Sequence, residues 1–555
     1  MSHATGVSRR SVLRGTVLAA AALSAAPVLS ACSGSGGSGK GSVGNAGKQL
    51  APWPTYVPFT GAPPQLAPTA QGVQAGYTAY PSNLATANQG GVPGDGSKVR
   101  VAVITYGAPP TQKDRNELWQ AVNKALGVDL ELTVIADADY PTKVATMLAG
   151  GDMPDILHIG GGYTLPRETQ FIQHSCADLT EYLSGDAVKD HPNLANIPTY
   201  AWQGMGRIAG RIYGVPVERP KFGNAWIANR DLLKAVGADD GSWDKVAFAA
   251  AAKALRQGRR YGLGASVQNP YALPLHAGSF GAANNFGVKD GRIFSTYGTE
   301  EFKEALAFAR DLTKAGWYHP DAGSLQLLDL KPKFYDQSVA LYQDGLGAVG
   351  QGLNQVKGAF DIGLAQPYAG AGRPTTWGGS GLFGYTVLKK APAARIKMLL
   401  RVMDFLAAPF GSKERELFGF GIEGKHFTRD GSGAPVPTDD GTGPGGPGSL
   451  ALGYIASAPG VLYYAGFPAE VVTKIHQWQS KVAPNLILDA TVGLKSDTYG
   501  VSGTALKQTI TDGALAVVSG RQPISSWDDV VKKWQSSGGS KALDEFSKEY
   551  AAVKG

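Results

Sequence analysis

Cysteine is almost missing from this chain: Cys32 and Cys176 are the only two in 555 residues. That excludes a disulfide-stapled framework and a zinc site built on paired cysteines. No H-E-x-x-H stretch occurs. Neither Gly262-Leu-Gly-Ala-Ser266 nor Gly378-Gly-Ser-Gly-Leu382 is the G-x-S-x-G elbow of a hydrolase. Asp137-Ala-Asp-Tyr140 is too short for a calcium loop, and nothing marks out two carboxylates as a glycosidase pair. Basic runs with interleaved aromatics are also lacking. The formal charge is +7, of which Arg9, Arg10 and Arg14 in the head supply +3. The remaining +4 is scattered over the chain, which argues against a nucleic-acid partner. What is present is a 43% hydrophobic chain with 75 glycines and 34 prolines, many of them in the first hundred residues and around 430–448. The length suits two or three domains.

The head has no acid before Asp95. Arg9-Arg10 precede the apolar stretch Val17-Leu-Ala-Ala, which is shorter than the ~20 residues of a membrane span. This predicts an export signal over 1–31, with the paired arginines pointing to the twin-arginine route. Leu29-Ser-Ala-Cys32 resembles a bacterial lipobox, which implies cleavage before Cys32 and a diacylglycerol anchor on its thiol. The Gly/Ser and Pro-rich residues 32–97 then read as a flexible tether. Cys176 is left without a partner and reads as a small buried hydrophobe.

From residue 98 the pattern becomes regular. Val99, Val101, Val103 and Thr105 share one strand face, and 128–136 and 155–159 make further strands. Thr111 and Asp114 fit a capping pattern before a helix carrying Leu118, Val122 and Leu126. Strand, helix, strand, helix, strand means an α/β lobe with a largely parallel sheet. Later helices are predicted over 229–238, over 242–258 from an N-cap at Ser242, from Thr299 with Phe302, Leu306, Ala309 and Leu312 buried, and over 396–409. Residues 431–449 read as a loop or mobile insertion.

Tyr213-Gly-Val-Pro, Asn229-Arg-Asp-Leu-Leu233, Tyr261-Gly-Leu-Gly-Ala-Ser266, Gly298-Thr-Glu-Glu-Phe302, Gly381-Leu-Phe-Gly-Tyr385 and Gly421-Ile-Glu-Gly-Lys-His426 together resemble the solute-binding proteins of ABC importers. The last stretch is similar to a signature of their LipO-like, carbohydrate-binding lipoprotein branch. The resemblance covers roughly 98–555. It implies an α/β, two-lobed periplasmic-binding-protein-like fold of type II, with a hinge and an interlobe cleft. It further implies crossings near 215–219, 347–352 and 380–384. Lobe one is then expected over 98–217 plus 349–380, and lobe two over 218–348 plus 385–555.

The resemblance also implies a function: a monomeric receptor held outside the cytoplasmic membrane by lipid on Cys32. It would capture an oligosaccharide and deliver it to an ABC permease, without catalysis, cofactor or metal. A peptide or other small solute on the same fold, or an extracellular carbohydrate-active enzyme, stand as alternatives. Sugar rings ask for aromatic plates and planar hydrogen-bonding groups at strand ends and crossings. On that ground the candidates are Tyr106, His158, Tyr163, Glu218, Arg219, Trp226, Tyr271, Asn284, Gln351 and Trp377, with Asn285 and Asn354 beside them. Trp226 fits the core equally well, and Glu218 and Arg219 fit a hinge pair.

Overall fold

The computed structural model describes residues 43–554, apart from 89, 161–164, 166 and 239–242. The signal at 1–31, Cys32, Ser242 and Tyr163 therefore lie outside the described residues. The first part of the chain forms β1 (Lys98–Thr105), α1 (Glu117–Leu126), β2 (Asp129–Ala136), β3 (Ile156–Gly160) and β4 (Gly214–Glu218). Then come β5 (Asn224–Asn229), α2 (Lys245–Leu255), β6 (Tyr261–Gly264), α3 (Leu273–Ser279), α4 (Glu300–Lys314), β7 (Val339–Gly345), α5 (Ala348–Val356) and β8 (Ile362–Leu364). The last part holds β9 (Thr376–Trp377), β10 (Leu382–Leu388), α6 (Ala393–Leu406), α7 (Lys413–Phe420), β11 (Leu486–Ile487) and α8 (Ser540–Lys554).

Two sheets organise two lobes. The five-stranded sheet runs β2-β1-β3-β10-β4, and the four-stranded sheet runs β8-β5-β7-β6. β1 is parallel to both β2 and β3, with Val101 opposite Leu132 and Ile156. Its valines are buried as their alternation demands. α1 buries Leu118, Val122 and Leu126. Its N-cap is Asn116, whose side chain accepts from the Trp119 N–H, and not the Thr111–Asp114 pair. α2 starts after Asp244, which accepts from the N–H groups of Val246 and Ala247. α4 is capped by Thr299 and buries Phe302, Leu306, Ala309 and Leu312.

The lobe boundaries need correction. Residues 349–380 were expected in lobe one. Yet α5 buries Val349, Leu353 and Val356 in a lobe-two core with Ile362, and β8 pairs with β5. Residues from 385 were expected in lobe two. Yet β10 lies antiparallel between β3 and β4, and α6 packs in the lobe-one core that runs on to Ala456. The physical reason is that β3 and β4 expose facing rows of backbone groups, and only β10 satisfies both. No crossing occurs at 347–352, which is helical. The chain instead crosses between β4 and β5, between β9 and β10, and between Ala456 in the lobe-one core and Leu462 in lobe two.

The tether expectation is overturned for 43–97. Val43 and Ala51 are buried in lobe one, and the N–H groups of Ala51, Thr55 and Val57 donate to the carbonyls of Gly210, Gly185 and Ala195 at 2.8, 2.9 and 2.9 Å. Val73 then packs in lobe two, and the Tyr77 N–H donates to the Leu462 carbonyl. Ala85 returns to lobe one at Gly411 and Ser412. Glycine and proline signal flexibility only where the backbone lacks partners, and here partners are supplied by distant chain. Residues 431–449 are likewise folded: Phe427–Arg429 pairs with Pro435–Pro437, and Pro447, Ser449 and Leu450 are buried. Among the described residues no helix is long and apolar enough to cross a membrane.

Candidate functional site

The carboxyl ends of β1 and β3 meet the start of β10 at the hinge. Three half-buried rings gather there. Tyr106 follows β1, Phe383 opens β10, and Tyr454 arrives just before the last crossing. Their centroids lie 4.9 Å (Phe383–Tyr454), 5.9 Å (Tyr106–Phe383) and 6.3 Å (Tyr106–Tyr454) apart. His158, buried in β3, stacks on Phe383 at 5.6 Å with planes 20° apart. Burial pushes its imidazole down to about 3, so it is a neutral ring at physiological pH. Glycines permit this approach. A Cβ on Gly160, which sits at φ 116°, would meet the Gly384 Cα at 2.6 Å, and one on Gly384 would lie 2.9 Å from the His158 ring.

Arg219, first residue of the β4–β5 crossing, lays its guanidinium over Phe383 at 5.1 Å and Tyr454 at 5.5 Å. A second group of rings stands at the hinge: Tyr80, Phe410, Phe420 and Tyr463, with Tyr80 5.5 Å from Tyr463 and 5.6 Å from Phe410. All four are partly exposed. Arg415 of α7 belongs to this region. Burial, and then the nearby Arg219 charge, hold it below its ordinary value.

Lobe two contributes the end of β7. Lys331 Nζ lies 3.2 Å from the Asp344 carboxylate and donates to Gln351 Oε1 at 2.8 Å. The Tyr106 phenol is raised above its ordinary value by burial first, then by Asp137 and Tyr454, with Asp344 of the second lobe adding to this and Arg219 opposing it.

The other predicted residues go elsewhere. Glu218 is 3% exposed; its carboxylate accepts from the Tyr200 hydroxyl and, at 2.9 Å, from the Gly460 N–H, so it braces two crossings. Asn284 is also a brace: its amide donates to the carbonyls of Gly378 (2.8 Å) and Ile487 (3.1 Å), tying β9 to β11. Asn285 donates to Asp489. Tyr271 is buried, edge-on to Tyr318 at 5.4 Å, with its carbonyl accepting from the Tyr318 hydroxyl at 2.6 Å. Trp226 packs in the lobe-two core against Phe248. Trp377 is half-buried, and its indole N–H donates to the Ala282 carbonyl at 2.8 Å. Gln351 and Asn354 are exposed on α5. Cys176 is fully buried and its thiol is pushed up to about 12, which leaves it unreactive. Among the described residues no group of three or more His, Cys, Asp and Glu side chains could hold a metal ion.

Sequence reasoning missed Phe383, Tyr454, Arg415, Lys331 and Asp344. Phe383 stood inside a quoted motif, one residue past a crossing. Tyr454 had no signal, because the crossing after it was not legible.

Gln343 and Trp226 are cross-strand partners on β7 and β5. Among the described residues neither amide atom of Gln343 nor the Trp226 Nε1 finds a hydrogen-bond partner, and both residues are 3% exposed. A buried unsatisfied amide costs about 1–3 kcal/mol. Gln343→Met is therefore expected to raise the melting temperature by several degrees. A fall would show that the amide is satisfied in solution.

A family described as bacterial extracellular solute-binding protein matches residues 108–411. Lipoprotein LipO of Bacillus subtilis (strain 168) is 23% identical over 504 residues, covering 85% of this chain and 96% of its own. The polygalacturonan/rhamnogalacturonan-binding protein YtcQ of the same organism is 21% identical over 485 residues, covering 84% and 94%. Among solved structures, the alginate-binding protein AlgQ2 without calcium ion superposes with a TM-score of 0.62 at 13% identity, covering 84% of this chain and 100% of that one. Likeness at that identity establishes the two-lobed fold.

Proposed function

The chain belongs to the bacterial extracellular solute-binding proteins, and from that premise we propose that it captures an oligosaccharide and hands it to the membrane subunits of an ABC importer. The observation that carries this reading is the set of half-buried rings Tyr106, Phe383 and Tyr454 at the carboxyl edge of the first sheet, with the Arg219 guanidinium of the adjoining crossing laid over two of them. Aromatic faces suit the apolar C–H faces of sugars, and the polar groups suit their hydroxyls. Crossings braced by Glu218 form a hinge about which the lobes close. Ligand favours closure only through contacts made in the closed state. The names of LipO and YtcQ support a lipid-held, glycan-binding receptor. On this reading Cys32 carries the lipid, Arg9-Arg10 direct export by the twin-arginine route, and the protein works as a monomer at the outer face of the membrane.

The test is a thermal-shift and calorimetric panel of oligosaccharides, peptides and small polyols. A ligand that binds only the folded state raises the melting temperature by mass action. A glycan that raises it and is recovered unchanged is the expected result; a response to peptides alone would replace the solute, and cleavage of the glycan would make the protein an enzyme. Tyr454→Ala is expected to weaken the responding glycan about 10-fold or more, as loss of a stacking ring does. Unchanged affinity would remove this ring from the site. Intact mass of membrane-extracted protein tests the anchor: a free thiol at Cys32 would refute it.

A further inference from the structure

Gln343 and Trp226 bring three hydrogen-bonding atoms without partners, among the described residues, to one row of the second sheet. Their place in that sheet gives the row a meaning. β6 and β7 are parallel, and their last paired row is Gly264 opposite Tyr342. Gln343 is the next residue along β7, so it stands at the carboxyl edge. Trp226 faces it as the third residue of β5, directly after the first crossing. The carboxyl edge of a parallel α/β sheet is where such folds take their ligands. The rings Tyr106 and Phe383 occupy the equivalent edge of the first sheet, beside the same hinge.

The neighbouring rows are built differently. Two residues further from the edge, on the same face, Ala228 stands opposite Leu341, and both are buried and apolar. A core position in that setting is filled by leucine or methionine at no polar cost, so an amide left unpaired there calls for a reason. The chain that leaves the carboxyl end of β6 is also unusual. It reaches α3 through Tyr271 and Ala272, at φ 50° and 52°, two successive side-chain-bearing residues in the left-handed region. Strained backbone of this kind gathers at ligand sites.

We propose that Gln343 and Trp226 are the residues of lobe two that bind the hydroxyls of the captured saccharide. The amide carries a donor, Nε2, and an acceptor, Oε1, in one plane. Two adjacent sugar hydroxyls, each able to donate and to accept, match that pair, and the indole N–H donates to a third oxygen. Both side chains are neutral, so the subsite reads hydroxyls and not charge. The inference rests on the saccharide reading and names its contacts in the second lobe.

The experiment uses the full chain with maltotriose, xylotriose and trigalacturonate beside the glycan panel above. A glycan that binds is carried forward with its singly deoxygenated analogues. W226F, which keeps a ring and removes the N–H, and Q343M are each expected to weaken binding about 10-fold or more. Q343M should do so while melting no lower than the native protein, which separates lost contact from lost fold. One deoxy analogue should bind the native protein about 10-fold more weakly than the parent sugar and Q343M no more weakly than the parent does. In nitrogen-labelled protein the indole N–H resonance of Trp226, identified by its absence from W226F, should shift when the glycan is added. Unchanged affinity in both variants would overturn the subsite and leave the saccharide reading standing. Penalties for every deoxy analogue that are the same in native protein and Q343M would make the two residues structural, and would overturn it too. An unmoved Trp226 resonance at saturating glycan would remove the indole from the site. Binding of no glycan at all would overturn the broader reading, and this inference with it.

Discussion

Replacing His276 by glutamine is expected to cost stability at about pH 7.5 and far less at about pH 4.5, the deficit shrinking by about 2–3 kcal/mol. His276 is fully buried in α3, its Nδ1 2.6 Å from the Tyr368 hydroxyl and its Nε2 2.7 Å from the Tyr318 hydroxyl. Phe248 and Phe308 close the cage. Burial pushes the imidazole down to about 3. The unfolded histidine titrates near 6.5, so as pH falls below that value the unfolded chain takes up a proton that the folded one refuses. The stability this residue confers is present above pH 6.5 and is lost progressively as pH falls toward 3. Glutamine can meet both hydroxyls but does not titrate, so it escapes the loss. Asp404 gives the opposite sign. It accepts from the N–H groups of Asn193 and Leu194 at 2.8 and 3.0 Å, yet burial pushes it up to about 7. A raised carboxyl confers stability below its unfolded value, near 3.8, and loses it as pH rises through about 7. The two terms oppose each other in the native protein, so the readout is variant minus native in urea unfolding at each pH. A deficit for His276→Gln that stays constant with pH would show that the histidine titrates alike in the folded and unfolded chains.

Cutting away residues 43–60 is expected to be the most damaging truncation of an apparently dispensable segment. A chain beginning at Gly61 should be about 3–6 kcal/mol less stable than one beginning at Val43. Asn45 is the main fastening. Its amide donates to Glu549 of α8 and, at 3.1 Å, to the Arg207 carbonyl; its Oδ1 accepts from the Gly210 N–H at 2.7 Å. The backbone N–H of Asn45 also donates to Glu549 at 2.8 Å. Arg207 in turn donates to the Ala51 carbonyl at 2.7 Å and lies 3.7 Å over the Trp53 ring. Removal would leave Glu549 and Arg207, 3% and 9% exposed, as buried charges without their partners. That costs more than the ordering entropy the segment regains. Equal unfolding midpoints for the two chains would show that the segment is a loose tether after all. Glu549→Ala tests the same fastening without truncation and should cost about 2–3 kcal/mol.

The sequence by itself determined the features that each short stretch carries alone. The valine alternation of β1, the apolar stripe of α4 and the Thr299 cap were legible because a residue's own period decides which face it buries. Order of strands and helices was enough for an α/β class, and a spread of motifs was enough for a family. The tertiary structure decided what depends on partners hundreds of residues away. β10 enters the first sheet because β3 and β4 both lack a neighbour, and no period within 382–388 can announce that. The same holds for the site. Glu218, Arg219 and Asn284 are alike in sequence as polar residues near crossings. Glu218 and Asn284 are consumed by Gly460, Gly378 and Ile487, while Arg219 keeps donors to spare. Which polar group is left over for a ligand is settled only after every backbone group has found its partner, and that accounting is global.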